Sequence, residues 1–467
     1  MKKKLICLLL SVMLFLTMSC SKEEVTTPEK VAEETPTKDM NGYEFIFKAY
    51  VDYETFFFPK PIESDYGDKI LARYANASEN FNCNVNVSEI EGDTKTQIVT
   101  AAASGAKFAD LLDTQAKIIY DNLDYFMPLN QITGFDIQDI KWGPQSYLET
   151  AKFNGENYGF MAYDWGLPYP QYIGNLFFMP SVMAEFNLAN PQELYEEKSW
   201  TWDKFKEYSA AMTVKGATKE EDRYGFVISN EMKFPRAFII SNGGNAITYV
   251  ETQNKYVYGL TDPKAQQALQ YIQDMLDQGI GYYTAGDDWA KAAQMFKDKR
   301  TGFYEAFNKM CFINAELHLA SDLGEPYSWV PYPVGPSGTY GASTAQFWFT
   351  ARLLGVLNNS LDDDELENNS ILINYIFSPL EGETKDSWKD NIKRRYFFDD
   401  QSFEYYINLF EGGTTDFSAV AYNSVWTLIP TVYRNVISGK KSVSEAALGI
   451  ADSVNTELDE KINPYIK

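Results

Sequence analysis

Between residues 44 and 113 the sequence alternates short apolar, β-prone runs with helical ones, and that rhythm leaves few folds open. Glu44-Phe45-Ile46-Phe47-Lys48-Ala49-Tyr50 reads as a strand. A helical stretch from about Tyr66 to Asn80 follows, and Asn84 to Ile90 alternates well enough for a second strand. Asp93 is placed to cap a helix over Thr94 to Ser104, which Gly105 ends. Phe108-Ala109-Asp110-Leu111-Leu112 is expected as the third strand, closed by Asp113. Strand, helix, strand, helix, strand at this spacing predicts a parallel α/β layer with ligand-facing loops at the strand ends. At 467 residues the chain has room for two or three domains, each with its own core.

The same style continues downstream. Tyr158-Gly159-Phe160-Met161-Ala162 and Asn175-Leu176-Phe177-Phe178 are strand-like. Thr201 caps a helix beginning Trp202-Asp203, so Trp200 and Trp202 are read as structural. Asp262-Pro263 opens another helix, to about Asp277. Ser442 and Glu445 have the spacing of a capping box at the C-terminal helix. The acidic run Asp362-Asp363-Asp364-Glu365 lacks the glycine and spaced ligands of an EF-hand loop and is expected as a solvated loop.

Charge and histidine usage narrow the function. With 41 Lys+Arg against 65 Asp+Glu the net charge is −24, which argues against a nucleic-acid partner held through phosphates. His318 alone cannot build a two-His metal centre, and a Ser-His or Cys-His catalytic pair would need that single residue. No metal, no cofactor and no catalytic residue is expected. Aromatics, in contrast, reach 15%.

Met1-Lys2-Lys3-Lys4 and the uncharged apolar run Leu5 to Met18 form a signal peptide, too short to span a membrane. Leu16-Thr17-Met18-Ser19-Cys20 resembles a bacterial lipoprotein signal, which implies cleavage after residue 19 and a lipid on Cys20; the alternative is plain secretion. Losing three lysines deepens the charge to −27. Residues 20–42, rich in Glu, Lys, Thr and Pro, have little to bury and are expected as a disordered tether. Cys83 and Cys311 then remain, as free thiols.

Four stretches together resemble the family 1 extracellular solute-binding proteins, the group that contains maltose-binding protein. The first runs from Thr96 to Gly105, with Ala109-Asp110-Leu111 and Met127-Pro128-Leu129 beyond it. The second holds Phe153-Asn154-Gly155-Glu156-Asn157-Tyr158-Gly159, Leu176-Phe177-Phe178-Met179-Pro180 and Trp200-Thr201-Trp202-Asp203-Lys204-Phe205. The third holds Met295 to Phe303 and Pro331-Tyr332-Pro333-Val334-Gly335-Pro336; the fourth holds Trp426, Ser438-Gly439 and Ser442 to Leu458.

The resemblance implies an α/β, two-lobed periplasmic-binding-protein fold (type II), with hinge strands and a ligand cleft between the lobes. By analogy one lobe takes residues 43–162 and 341–395, the other 163–340 and 396–467. It implies an extracytoplasmic, lipid-anchored monomer that captures a carbohydrate, an oligosaccharide, and delivers it to the permease subunits of an ABC importer. It would touch the membrane through the anchor alone.

Sugars need aromatic platforms for their apolar faces and carboxylates or amides for their hydroxyls. The resemblance places Trp426, thirteen residues before Gly439, where a sugar-stacking tryptophan stands, and Glu231 where a sugar-contacting glutamate stands. Tyr163, Asp164 and Trp165 follow a predicted crossing strand, and Trp165 is expected to be exposed on a loop. Asp52 and Asp113 follow predicted strands of the first lobe. Glu305 follows Gly302-Phe303-Tyr304, and Trp348 lies just after the return to the first lobe. For each of these, packing, capping or a solvated surface is the competing explanation. Arg236 is expected in a surface ion pair, the alternative being a partner for an anionic sugar.

Two other functions fit the same composition. An exported glycoside hydrolase also needs aromatics and a carboxylate pair, and a ligand sensor would use the same fold.

Overall fold

The structure, a computed structural model, describes residues 38–50, 57, 65–165, 172–286, 288–305, 323–347, 351–359, 362–415 and 422–466. The chain divides into two units, Met1–Asp39 and Met40–Lys467, and the helices and strands all belong to the second among the described residues.

It opens as the sequence rhythm predicts. Strand β1 (Tyr43–Ala49), helix α1 (Asp65–Phe81), strand β2 (Cys83–Glu89), helix α2 (Thr94–Ser104) and strand β3 (Leu111–Gln115) follow one another. Asp93 accepts from the Thr96 amide at the start of α2, and Gly105 ends it in a left-handed conformation, φ 68°. The third strand sits three residues later than expected. β1 pairs with it at Phe47↔Leu111 and Lys48↔Leu112, so Asp113 lies inside the strand rather than closing it. A strand over 158–162 is not formed; Phe160 makes a single bridge to Leu354.

The middle of the chain supplies β4 (Asn175–Phe178), α3 (Trp202–Ala211), β5 (Tyr224–Ile228), α4 (Lys233–Ser241), α5 (Pro263–Asp277), β6 (Gly281–Tyr283), α6 (Trp289–Lys297), β7 (Thr301–Glu305) and β8 (Ser328–Pro331). Thr201 and Asp262 cap α3 and α5 as their sequences demand. Then come β9 (Arg352–Val356), α7 (Asp363–Ile376), α8 (Ser387–Tyr396), α9 (Asp400–Glu411), α10 (Tyr422–Ile437), α11 (Val443–Leu448) and α12 (Ala451–Lys461). The acidic run is no loop. Asp362 and Glu365 form a reciprocal capping box that starts α7, where carboxylates suit the exposed amides of a helix N-terminus. Ser442 caps α11, but the expected single C-terminal helix is split into α11 and α12 around Gly449-Ile450.

Two sheets organise these elements. The first has the order β9-β3-β1-β2, with β1, β2 and β3 parallel and β9 antiparallel to β3. The second has the order β6-β5-β7-β4-β8, in which β4 alone runs against its neighbours. A third, small sheet pairs residues 346–347 with both 172–173 and 414–415. The core is continuous and aromatic-rich; Trp200 and Trp202 are buried in it, donating their indole N–H groups to Pro331 O and Ser241 Oγ. Cys83 is a half-buried free thiol, while Cys311 and His318 lie outside the described residues.

Candidate ligand-binding site

In open α/β sheets ligands meet the carboxyl ends of the strands, because the loops there are free to vary while helices cover the faces. At that edge of the second sheet β7 ends on Glu305, which is 1% exposed and accepts from Ser229 Oγ, just past β5, at 3.1 Å. Glu231 follows in the turn before α4. Its Oε1 accepts from Arg434 of α10, with Nε at 2.9 Å and Nη2 also in contact, and its Oε2 accepts from the Tyr283 hydroxyl at 3.2 Å. Glu231 is therefore a buried, clamped carboxylate and not an exposed loop acid. Tyr332, just past β8, and Asn175, at the start of the opposed strand β4, complete the edge. Both are fully buried, and the Tyr332 hydroxyl and both amide atoms of Asn175 lack hydrogen-bond partners among the described residues. Burial, with the Glu305 carboxylate nearby, holds the Tyr332 phenol well above its usual range.

The first sheet repeats the theme. Asp113 is buried inside β3 and accepts the Tyr50 amide, just past β1, at 3.2 Å. Arg352, at the amino end of β9, forks onto it, with Nε 3.3 Å from Oδ1 and Nη2 on Oδ2. Each sheet thus carries, at or next to this edge, a buried carboxylate clamped by an arginine from a distant part of the chain. Nothing local in the sequence marks Arg352 or Arg434 as partners, which lie 239 and 203 residues from their carboxylates.

These features can be set beside known proteins. The model of the family described as bacterial extracellular solute-binding protein matches residues 69–379, well over half of the chain. The chain belongs to that family. Its members bind solutes and are not enzymes, which removes the glycoside hydrolase reading. Compared with curated protein sequences, this solute-binding protein matches none. Among solved structures it is similar to the cyclic α-maltosyl-1,6-maltose binding protein of Arthrobacter globiformis, at 14% identity and TM-score 0.64, covering 90% of this chain and 100% of that one. It is also similar to the GacH receptor of Streptomyces glaucescens, solved unliganded and with acarbose, at 15% identity and TM-score 0.57, covering 90% and 99%. At such identities the likeness is one of fold, the mixed α/β periplasmic-binding-protein fold. No helix among the described residues is long and apolar enough to cross a membrane.

The other expected site residues of this solute-binding protein are scattered. Trp165 is not exposed: it is 1% accessible, packs on Phe377, Tyr74 and Phe57, and donates its indole N–H to Ser378 O at 2.9 Å. The run that looked like a free loop is a short 3-10 turn, Tyr163–Trp165, and the apolar indole turns inward against α7 and α1. Tyr163 and Asp164 face elsewhere, into a cavity of about 340 Å³ shared with Lys385, Asp386, Lys389 and Glu411. There Tyr163 donates to Glu411 Oε1 at 2.9 Å, and Lys389 reaches the same oxygen at 3.2 Å. Burial, then the nearby Asp139 carboxylate, raises the Asp164 carboxyl to about 6. Arg236 is also buried rather than in a surface pair. Trp426 lies in α10, eight residues before Arg434, with its side chain outside the described residues. Asp52, Trp348 and Cys20 are outside them altogether.

Proposed function

We propose that this protein captures a carbohydrate, an oligosaccharide, outside the cytoplasm and delivers it to an ABC importer while anchored by a lipid on Cys20. The observation that carries the reading is the gathering of Glu231, Glu305, Ser229, Tyr283, Asn175 and Tyr332 at the carboxyl edge of the second sheet. Hydroxyl-rich ligands call for such a set of buried acceptors and donors. Family membership supplies the binding role, and two proteins of like fold are named for saccharide ligands. Trp426 provides the stacking platform; Asp52 and Trp348 belong to the same ligand set, with Asp113 holding the first-lobe edge in shape.

The two sheets would be the cores of two lobes, residues 43–162 with 341–395 and 163–340 with 396–467. Trp165 packs with Phe377 and Phe57, which supports counting it with the first lobe, whereas Tyr163 packs with Trp388 and Phe410. The small sheet of 172–173, 346–347 and 414–415 is the natural hinge, because three distant segments of the chain meet there. Calorimetry across a panel of mono- and oligosaccharides tests the reading. Saturable binding of an oligosaccharide is expected, and no heat with any member would overturn it.

A further inference from the structure

We propose that Lys389 and Glu411 form a latch between the lobes, fastened to helix α9 as a strut, and that this pair positions the lobes by setting their resting balance between arrangements. This rests on the two-lobe reading above and goes beyond it. The first turn of α9 is fastened to the second sheet. Its N-cap Asp399 accepts from Ser328 Oγ at 2.8 Å, and the Ser402 hydroxyl accepts the Trp329 amide of β8 at 2.8 Å. Twelve residues of helix, about 18 Å of axis, then carry the chain to Glu411. There the attachment is to residues of the first lobe. Glu411 Oε1 accepts from Lys389 Nζ of α8 at 3.2 Å, and its backbone carbonyl accepts from Ser146 Oγ at 2.7 Å. Tyr163 donates to the same Oε1 at 2.9 Å. Three residues beyond Glu411 the chain enters the small sheet at Thr414, so a rotation of the lobes about that sheet pulls at this contact.

The contact is one that can part and re-form. Lys389 has a second carboxylate three residues before it, Asp386 at 3.5 Å, so its ammonium keeps a counter-ion when Glu411 moves away. Both residues border the half-open cavity of about 340 Å³, where side chains can rearrange without a void opening in a packed core. The Lys389 and Glu411 side chains are 23% and 42% exposed, so solvent screens the pair, which tips the balance without locking it. Ion pairs of this kind bias an equilibrium by about two- to fivefold.

The test compares the full-length parent with Glu411→Gln, Lys389→Met and the double variant. Each is measured without ligand by small-angle scattering, then by calorimetry with malto-, cello-, xylo- and chito-oligosaccharides. Each single variant is expected to shift the ligand-free radius of gyration and to change affinity by about two- to fivefold. The double variant should match the singles, because all three remove the same contact, and Lys389→Arg, which keeps the charge, should restore the parental values. Linkage fixes how the two readings relate: ligand favours the contracted arrangement, so a variant that contracts binds more tightly and one that expands binds more weakly. Unchanged radius and affinity in cooperatively melting variants overturn the proposal, as does the opposite relation between the two readings. If no oligosaccharide binds, the carbohydrate reading falls alone, and the ligand-free radii still decide the latch. Lys389→Met serves if Glu411→Gln does not fold.

Discussion

Arg352 reaches across the antiparallel pair of β9 and β3 to clamp Asp113, a carboxylate with no measurable exposure, its Nε 3.3 Å from Oδ1. The relationship explains how an aspartate is tolerated inside a buried strand: the charge never stands alone. Removing one partner of such a pair strands the other. Arg352→Met is therefore expected to lower unfolding free energy by about 3–5 kcal/mol, and the Asp113→Asn/Arg352→Met double variant by clearly less. Urea denaturation of the parent and the two variants measures this; equal losses in single and double variants would refute the coupling.

Trp165 and Trp426 should separate into two kinds of tryptophan. Trp165 is core, so Trp165→Ala is expected to cost about 3–5 kcal/mol of stability. Its oligosaccharide affinity should stay within about threefold of the parent protein. Trp426→Ala should do the reverse, weakening binding by about tenfold or more through loss of a stacking platform. Denaturation and calorimetry on the same two samples decide it, and an exchange of the two phenotypes would reverse the assignment.

How much of this was legible beforehand depended on range along the chain. The opening β1-α1-β2-α2-β3 run and the caps at Asp93, Thr201 and Asp262 are local features, set by residues within four positions of one another. They were readable from the sequence. Asp113 was singled out at the end of the third strand, yet its placement inside β3 depends on register with β1 and on Arg352, and neither is encoded nearby. The capping box of Asp362 and Glu365 was missed although it is local, because a run of four acids reads equally as a solvated loop until an apolar helix face follows it. Trp165 misled for the opposite reason. Neighbouring Gly166 and Pro168 signal a loop, while the indole is fixed by Phe377, more than two hundred residues away.

The Asp164 carboxyl sits at about 6, above its usual 3.8, chiefly because burial disfavours its charged form. A raised value means that the folded state holds the proton more tightly than the unfolded chain does. The stabilisation is full below about pH 4 and is lost as pH rises through about 6. Asp164→Asn should remove that loss. Relative to the parent the variant gains about 1 kcal/mol near pH 7, after allowance for solvent screening at this half-open cavity, and gains nothing near pH 4. Melting temperatures of both proteins across this range provide the check, and parallel curves would contradict the assignment.

Cys20 is expected to carry the anchor. In a bacterial host Cys20→Ser should move the protein from the membrane fraction to the soluble extracytoplasmic fraction and abolish incorporation of labelled fatty acid, leaving sugar affinity unchanged. Retention of label in the serine variant would mean that another residue is modified.

Gly174 lies between residues 172–173 and β4, and its φ is 153°. A Cβ added there would lie 2.5 Å from Ala345 Cα and 2.7 Å from the Ala345 amide nitrogen, immediately before residues 346–347. Both obstacles are backbone, so they cannot rotate away; the two segments would have to separate. Gly174→Ala is therefore expected to cost about 1–3 kcal/mol by overpacking. The strain falls where three segments meet, so it should also act on the proposed hinge. The radius of gyration from small-angle scattering should then contract less on oligosaccharide addition than in the parent protein. A variant with parental stability and full contraction would show that these segments can part freely, and would remove the small sheet as the hinge.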